Sequence, residues 1–210
     1  MHSAEINQFF QPIYRMKELL RQGWVGKVPV SDIESVAEHS FGVAMISLIL
    51  VPIENDLRKK SNQTHKLLNK SEIVEKALVH DLTESQFLDL DKSFNSLLED
   101  SEFKTIKLKL EQNAENKLIK NFDSLVKETF LLENIVILPE MTKNNSEEDE
   151  FIKLADLFEL YFQALNYAEK KFIAEKNSRP FIESTYKKIS TFKNKFLVVS
   201  YLIGDKDVNV

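Results

Sequence analysis

Apolar positions in this chain recur at three- and four-residue spacing for most of its length, and few breaks interrupt them. That spacing predicts helices. The first covers Ala4 to Arg21, with a kink or late start at Pro12. Gly23, Gly26 and Pro29 then predict an irregular segment to about Ile33. Ser35 and Glu38 have capping-box spacing and start a second helix, apolar on most sides, that runs to Ile49 or Leu50 ahead of Pro52. The polar stretch Glu54 to Lys70 predicts a long surface loop. Ser71 caps a third helix that extends through His80 and Asp81, and Ser85 to Asn95 is irregular. Helices follow over Glu102 to Asn121 and Ser124 to Asn134. Ile135 to Leu138 is compatible with a short strand, and Pro139 to Ser146 is a turn. Ser146 and Asp149 cap a long helix from Glu147 to about Glu175, and Pro180 opens a last helix reaching Leu202. The predicted fold class is all-α.

Composition narrows the class. At 210 residues, one domain over 1–210 is expected, with 43% hydrophobic and 29% charged residues, as in a globular protein. Four Gly and five Pro agree with long helices. The net charge of -5 argues against a nucleic-acid partner. With no Cys, disulfides, thiolate zinc sites and Cys nucleophiles are excluded, and the composition fits a cytoplasmic setting. The apolar stretch Phe41 to Ile53 is too short to span a bilayer, and the N-terminus does not read as a signal peptide, so no membrane partner is expected.

The chemistry concentrates in A-L-V-H-D-L-T-E, from Ala77 to Glu84. At about 100° per residue, a helix here puts Ile73, Ala77, His80 and Glu84 in one sector, with Asp81 beside it. An imidazole and a carboxylate on a partly apolar face are costly to bury unpaired, and a divalent metal explains them. His39 stands in the first turn of the second helix. Asp156 lies off the apolar stripe of the long helix, which leaves two readings: a helix buried on two sides, or a wet carboxylate. Singly, each residue is ordinary. Together, two imidazoles and two carboxylates suit manganese, iron, cobalt, nickel or zinc, and such a site can activate water. Glu84, one turn after His80, is placed to take a proton from that water. His2 and His65 read as terminal and loop residues. The Lys-rich stretch Lys104 to Lys120 reads as a solvated face.

These residues resemble the HD-domain 5'-deoxynucleotidases. The resemblance rests on R-Q-G-W-V (Arg21 to Val25), E-S-V-A-E-H-S (Glu34 to Ser40), H-D-L-T-E (His80 to Glu84) and L-A-D-L-F (Leu154 to Phe158), and the core spans about residues 14–165. It implies a compact HD-domain helical bundle with one divalent metal (magnesium included) between central helices. His39, His80, Asp81 and Asp156 match the metal ligands, and Glu84 matches a catalytic acid. Arg21 matches the arginine that orients phosphate. Trp24 matches the aromatic that packs on the sugar and disfavours a 2'-hydroxyl. Asp89 matches an acidic residue opening a substrate-contacting segment, Asp89, Leu90, Asp91 and Lys92, and either Glu84 or Asp89 would handle the proton in catalysis. His39, Asp81 and Asp156 would also face the substrate. Leu88 stands where relatives carry Gly, Asp91 where they often carry Pro, and the Trp24 to His39 segment is one residue longer. The implied activity is metal-dependent hydrolysis of deoxyribonucleoside 5'-monophosphates to deoxynucleoside and phosphate, by an enzyme that the resemblance suggests is a homodimer. The alternatives are an HD-superfamily phosphohydrolase with another nucleotide or phosphorylated substrate, or a non-catalytic helical binding protein.

Overall fold

The computed structural model describes residues 3–61, 65–89, 100–126 and 146–204. Leu90, Asp91, Lys92 and the expected strand Ile135 to Leu138 lie outside them, as do most of the Ser124 to Asn134 helix and the Pro139 to Ser146 turn. The described residues are helical and contain no strand beyond one isolated bridge between Leu20 and Ser35. The all-α class therefore holds. The chain divides into two compact units, residues 1–40 with 79–142, and residues 41–78 with 143–210.

In the first unit, α1 (Ser3–Glu18) packs on a 3-10 turn (Leu82–Gln86) and on α4 (Asp100–Val126). Met16, Val36, Leu82 and Leu118 are its buried centre, with Leu19, Ala37, Val79 and Ile119 around them. α1 passes through Pro12 and stops three residues before the expected end. The chain there turns extended, because the Arg21 N–H donates to the Glu34 carbonyl (3.0 Å) and the Val36 N–H to that of Leu19 (2.8 Å). A short 3-10 turn, Gln22–Trp24, follows, and Gly26 takes a positive φ of 75° that suits glycine. α4 is continuous across Asn121 to Ser124, where two helices were expected.

The second unit holds most of α2 (Val36–Lys60), with α3 (Lys70–Val79), α5 (Glu147–Glu169), α6 (Glu175–Ser190) and α7 (Leu197–Ile203). Val43, Val51, Ile73, Phe151, Leu154, Phe158, Ile189 and Phe196 are central to its core. Gly42 lets α5 approach: a Cβ there would stand 2.9 Å from Glu159 Cγ.

α2 runs through Pro52 to Lys60, correcting both the early stop and the first half of the predicted loop. A mid-helix proline costs about 3 kcal/mol. Burial beyond it offsets that cost: Glu54 and Arg58 form a buried pair at 2.7 Å. By length and composition α2 is apolar enough to cross a membrane, unlike the stretch weighed from sequence. Val43, Leu50, Val51, Glu54 and Arg58 are nonetheless all buried within the protein, as in a core helix.

Three further expectations shift. Asn69, not Ser71, caps α3, accepting from the Glu72 N–H at 3.3 Å. α5 ends at Glu169, where Lys171 takes a positive φ of 60°. The last predicted helix is two, α6 and α7, and Pro180 lies inside α6. Both predicted capping boxes form, at Ser35 with Glu38 and at Ser146 with Asp149.

Candidate active site

α3 ends at Val79, so His80 and Asp81 stand in a turn and Glu84 in the 3-10 turn after it. The single helix face expected for these three residues does not exist. The turn presents them instead, with the Glu84 N–H closing onto the Asp81 carbonyl at 3.0 Å. Leu82, buried at the core of the first unit, pins this turn.

His39 enters from the first turn of α2, set by the Ser35 capping box. Its Nε2 lies 3.7 Å from Asp81 Oδ2, and the His80 Nε2 lies 3.3 Å from the same oxygen. The two imidazole rings are 5.4 Å apart, tilted by 55°. His39 is fully buried, while His80 and Asp81 are partly exposed. Two imidazole nitrogens therefore converge on one carboxylate oxygen at an accessible edge. This is the donor set a divalent transition metal takes.

Arg21 reaches the same place. Its Nη1 is 3.3 Å from Asp81 Oδ2 and 3.6 Å from Asp89 Oδ2. Asp89 in turn accepts from the Gln22 backbone N–H at 2.8 Å, which holds the 3-10 turn against the site. Trp24, 1% exposed, donates its indole N–H to Glu34 Oε1 at 2.9 Å. Gln22 and Glu34 were not singled out from the sequence as site residues. Their places in R-Q-G-W-V and E-S-V-A-E-H-S were the signal for them.

Glu84 is buried, and its Oε2 has no hydrogen-bond partner among the described residues. Its pKa is pushed up to about 9, first by burial and then by the nearby Asp81 and Asp89 carboxylates, with Arg21 and Lys107 opposing. Asp81 and Asp89, two carboxylates on one guanidinium, leave a surplus of negative charge, which favours a bound cation.

The 5'-deoxynucleotidase YfbR-like family matches residues 8–199. The chain belongs to that family. It is an HD-domain phosphohydrolase. Curated relatives include the 5'-deoxynucleotidase HDDC2 of Dictyostelium discoideum, 30% identical over 164 residues (78% of this chain, 77% of the relative). The HDDC2 of Bos taurus is 26% identical over 205 residues, 97% of this chain and 86% of its own length. Among solved structures, an HD-domain phosphohydrolase from Listeria innocua superposes with a TM-score of 0.62 at 19% identity, covering 95% of this chain and 85% of that one. The PH0347 protein of Pyrococcus horikoshii gives 0.58 at 24% identity, covering 94% and 97%. These last two likenesses speak to the fold.

For a YfbR-like enzyme, a divalent metal is the implied cofactor, and His39, His80 and Asp81 fit it. Asp156 lies on α5 in the second unit. Ile152 and Glu159, one turn to either side of it, are buried, and Asp156 itself is half-buried. Of the two readings of α5, the helix buried on a second side is the one observed.

Proposed function

We propose that this YfbR-like enzyme hydrolyses deoxyribonucleoside 5'-monophosphates to a deoxynucleoside and inorganic phosphate. The observation that carries this reading is the convergence of His39, His80 and Arg21 on the Asp81 carboxylate, in a chain of this family. His39, His80 and Asp81 would hold the divalent ion. Asp156 is proposed as the fourth ligand on its motif, L-A-D-L-F, and not on geometry. The ion, when bound, supplies Lewis acidity and an acidified water.

The chain's own groups then have distinct tasks. Arg21 binds the phosphate and offsets the charge that builds as the water oxygen bonds to phosphorus and the bond to the 5'-oxygen breaks. With the ion bound, its charge would offset those of Asp81 and Asp89 that hold Glu84 protonated, so that Glu84 is an ionised carboxylate that takes the proton water loses at Oε2 and passes a proton to the departing 5'-oxygen. Asp89 keeps Arg21 and the Gln22–Trp24 turn in place. Leu90, Asp91 and Lys92 are proposed to contact substrate beyond it. Trp24, almost wholly buried, forms a fixed wall against C2' rather than a mobile lid.

The two units are proposed to work as one HD domain, supported by a family match that runs across both. A homodimer is proposed as well. Phe41, Met45, Leu48 and Ile49 recur at helical spacing on α2 and are exposed, an apolar stripe of the kind subunit contacts cover. The proposed setting is the cytoplasm.

Phosphate release from dAMP, AMP and an aryl phosphate, each with manganese, cobalt or magnesium, tests the reading. Preferential turnover of dAMP supports it. Equal turnover of AMP removes the sugar selectivity, and turnover of the aryl phosphate alone removes the nucleotide. Metal analysis of Asp156→Ala against His80→Ala tests the fourth ligand, since both variants should lose metal.

A further inference from the structure

Glu34 is a buried acid that the proposed chemistry does not use. It is 8% exposed, and it takes no part in the neighbouring capping box, which Ser35 and Glu38 complete by themselves. A buried carboxyl group is costly unless its partners reward it. Three contacts converge on this residue. Its Oε1 accepts the Trp24 indole N–H at 2.9 Å. Its backbone carbonyl accepts the Arg21 N–H at 3.0 Å. A carboxylate oxygen also lies within 4.8 Å of a ring nitrogen of His39.

One residue thus anchors the sugar wall by its side chain and the phosphate-binding arginine by its main chain, beside a metal-ligand histidine. The adjoining backbone is fixed by the Leu20–Ser35 bridge, so Glu34 transmits a rigid position and not a flexible one. A Trp ring held at both its N–H and its backbone cannot rotate to admit a 2'-hydroxyl.

We propose that Glu34 is the positioning residue for sugar selectivity: it locks Trp24 in the orientation that penalises ribose. This rests on the nucleotidase reading above.

Trp24 is the chain's single tryptophan, so its emission reports this contact directly. The test compares wild type, Glu34→Ala and Glu34→Gln by emission spectrum, manganese content and the dAMP/AMP ratio of kcat/KM. Glu34→Ala should red-shift the emission as the indole loosens, and lower the ratio by about tenfold, the equivalent of one lost hydrogen bond. Glu34→Gln keeps an acceptor for the indole, and should restore the wild-type emission and most of the ratio. A general structural lesion would not be rescued so selectively. Wild-type emission in Glu34→Ala, or a shifted emission with an unchanged ratio, overturns the proposal. If Glu34→Ala does not fold, Trp24→Phe removes the donor from the other end of the same bond and should lower the ratio by a similar factor; an unchanged ratio there is equally fatal. A wild-type enzyme that turns over AMP and dAMP alike fails the deoxyribose selectivity of the reading above, and one that turns over neither fails the nucleotidase reading itself; the wild-type assay alone reveals either.

Discussion

Arg21 Nη1 lies 3.3 Å from Asp81 Oδ2, the oxygen on which the Nε2 atoms of His39 and His80 also converge. The cation proposed to bind phosphate and the cluster proposed to hold the metal therefore share one carboxylate. On that proposal substrate phosphate sits where both can reach it, since Arg21 comes from the loop after α1 and Asp81 from the turn after α3. Arg21→Ala should lower kcat/KM for a deoxynucleotide by about 10²–10³, the usual loss for one transition-state donor. Arg21→Lys should recover little, because an ammonium cannot present the same planar fork. Steady-state kinetics with metal content measured in parallel separates this from metal loss. A variant with full activity would show that Arg21 only pairs with Asp81.

Glu84 makes stability depend on pH. Its pKa rises from 4.5 in the unfolded chain to about 9 in the fold, so the folded state holds the proton more tightly. The contribution is complete below about 4.5 and is lost as pH climbs towards 9. In chelator, wild type should lose melting temperature progressively through that window. Glu84→Gln, neutral and nearly isosteric, should flatten this slope and melt several degrees higher at pH 8.5. Parallel melting curves for the two proteins would show that Glu84 is not perturbed. Activity should be lost in the same variant, since an amide cannot take a proton from water.

Arg21, His39, His80, Asp81 and Glu84 stood out in the sequence because each belongs to a short motif, but the local structure that presents them was not legible there. A wheel drawn through His80 and Glu84 assumed that the helix continues. The helix ends at Val79, and a 3-10 turn performs the convergence instead. No periodicity distinguishes these two cases over so few residues. Pro52 misled for a different reason. It forecasts a helix end on local grounds, and a tertiary pair five turns into the helix overrides it. Glu54 and Arg58 sit four apart, a spacing visible in the sequence, yet they read as surface residues because nothing local shows that Val198 and Glu147 await them. Trp24 stood out in R-Q-G-W-V. Its partner Glu34 was quoted in a motif without a role, since the bond joins residues ten apart across an irregular segment.

Trp24 is buried and is also proposed to wall the site, so its substitution should have two separable effects. Truncation to Ala should cost about 3–5 kcal/mol by emptying a buried aromatic position. Trp24→Phe keeps most of the volume and should fold stably, while relaxing the preference for deoxyribose. Chemical denaturation and the dAMP/AMP ratio measure the two effects independently. A Phe variant as selective as wild type would move the sugar wall elsewhere, to the segment beyond Asp89.

The strongest test of the second unit lies far from any chemistry. Arg58 donates through Nε to Glu54 Oε1 (2.7 Å), through Nη1 to the Lys66 carbonyl (2.5 Å) and through Nη2 to Glu147 (2.6 Å). Glu54 uses its other oxygen, Oε2, to accept the Val198 N–H at 2.7 Å, and so caps α7 from α2. Both side chains of the central pair are almost completely buried. Removing Arg58 leaves Glu54 charged and buried without its counter-ion, and removing Glu54 leaves the buried Nε of Arg58 without its acceptor and Glu147 as the remaining carboxylate, so Arg58→Met or Glu54→Leu alone should each destabilise, by up to about 3–5 kcal/mol. Replacing both at once removes the orphaned charge, so the double variant should be less destabilised than the two single losses added together. Denaturant unfolding of all four proteins gives the coupling. Strict additivity would mean that the pair contributes nothing beyond its separate contacts, and that α2 crosses Pro52 for some other reason.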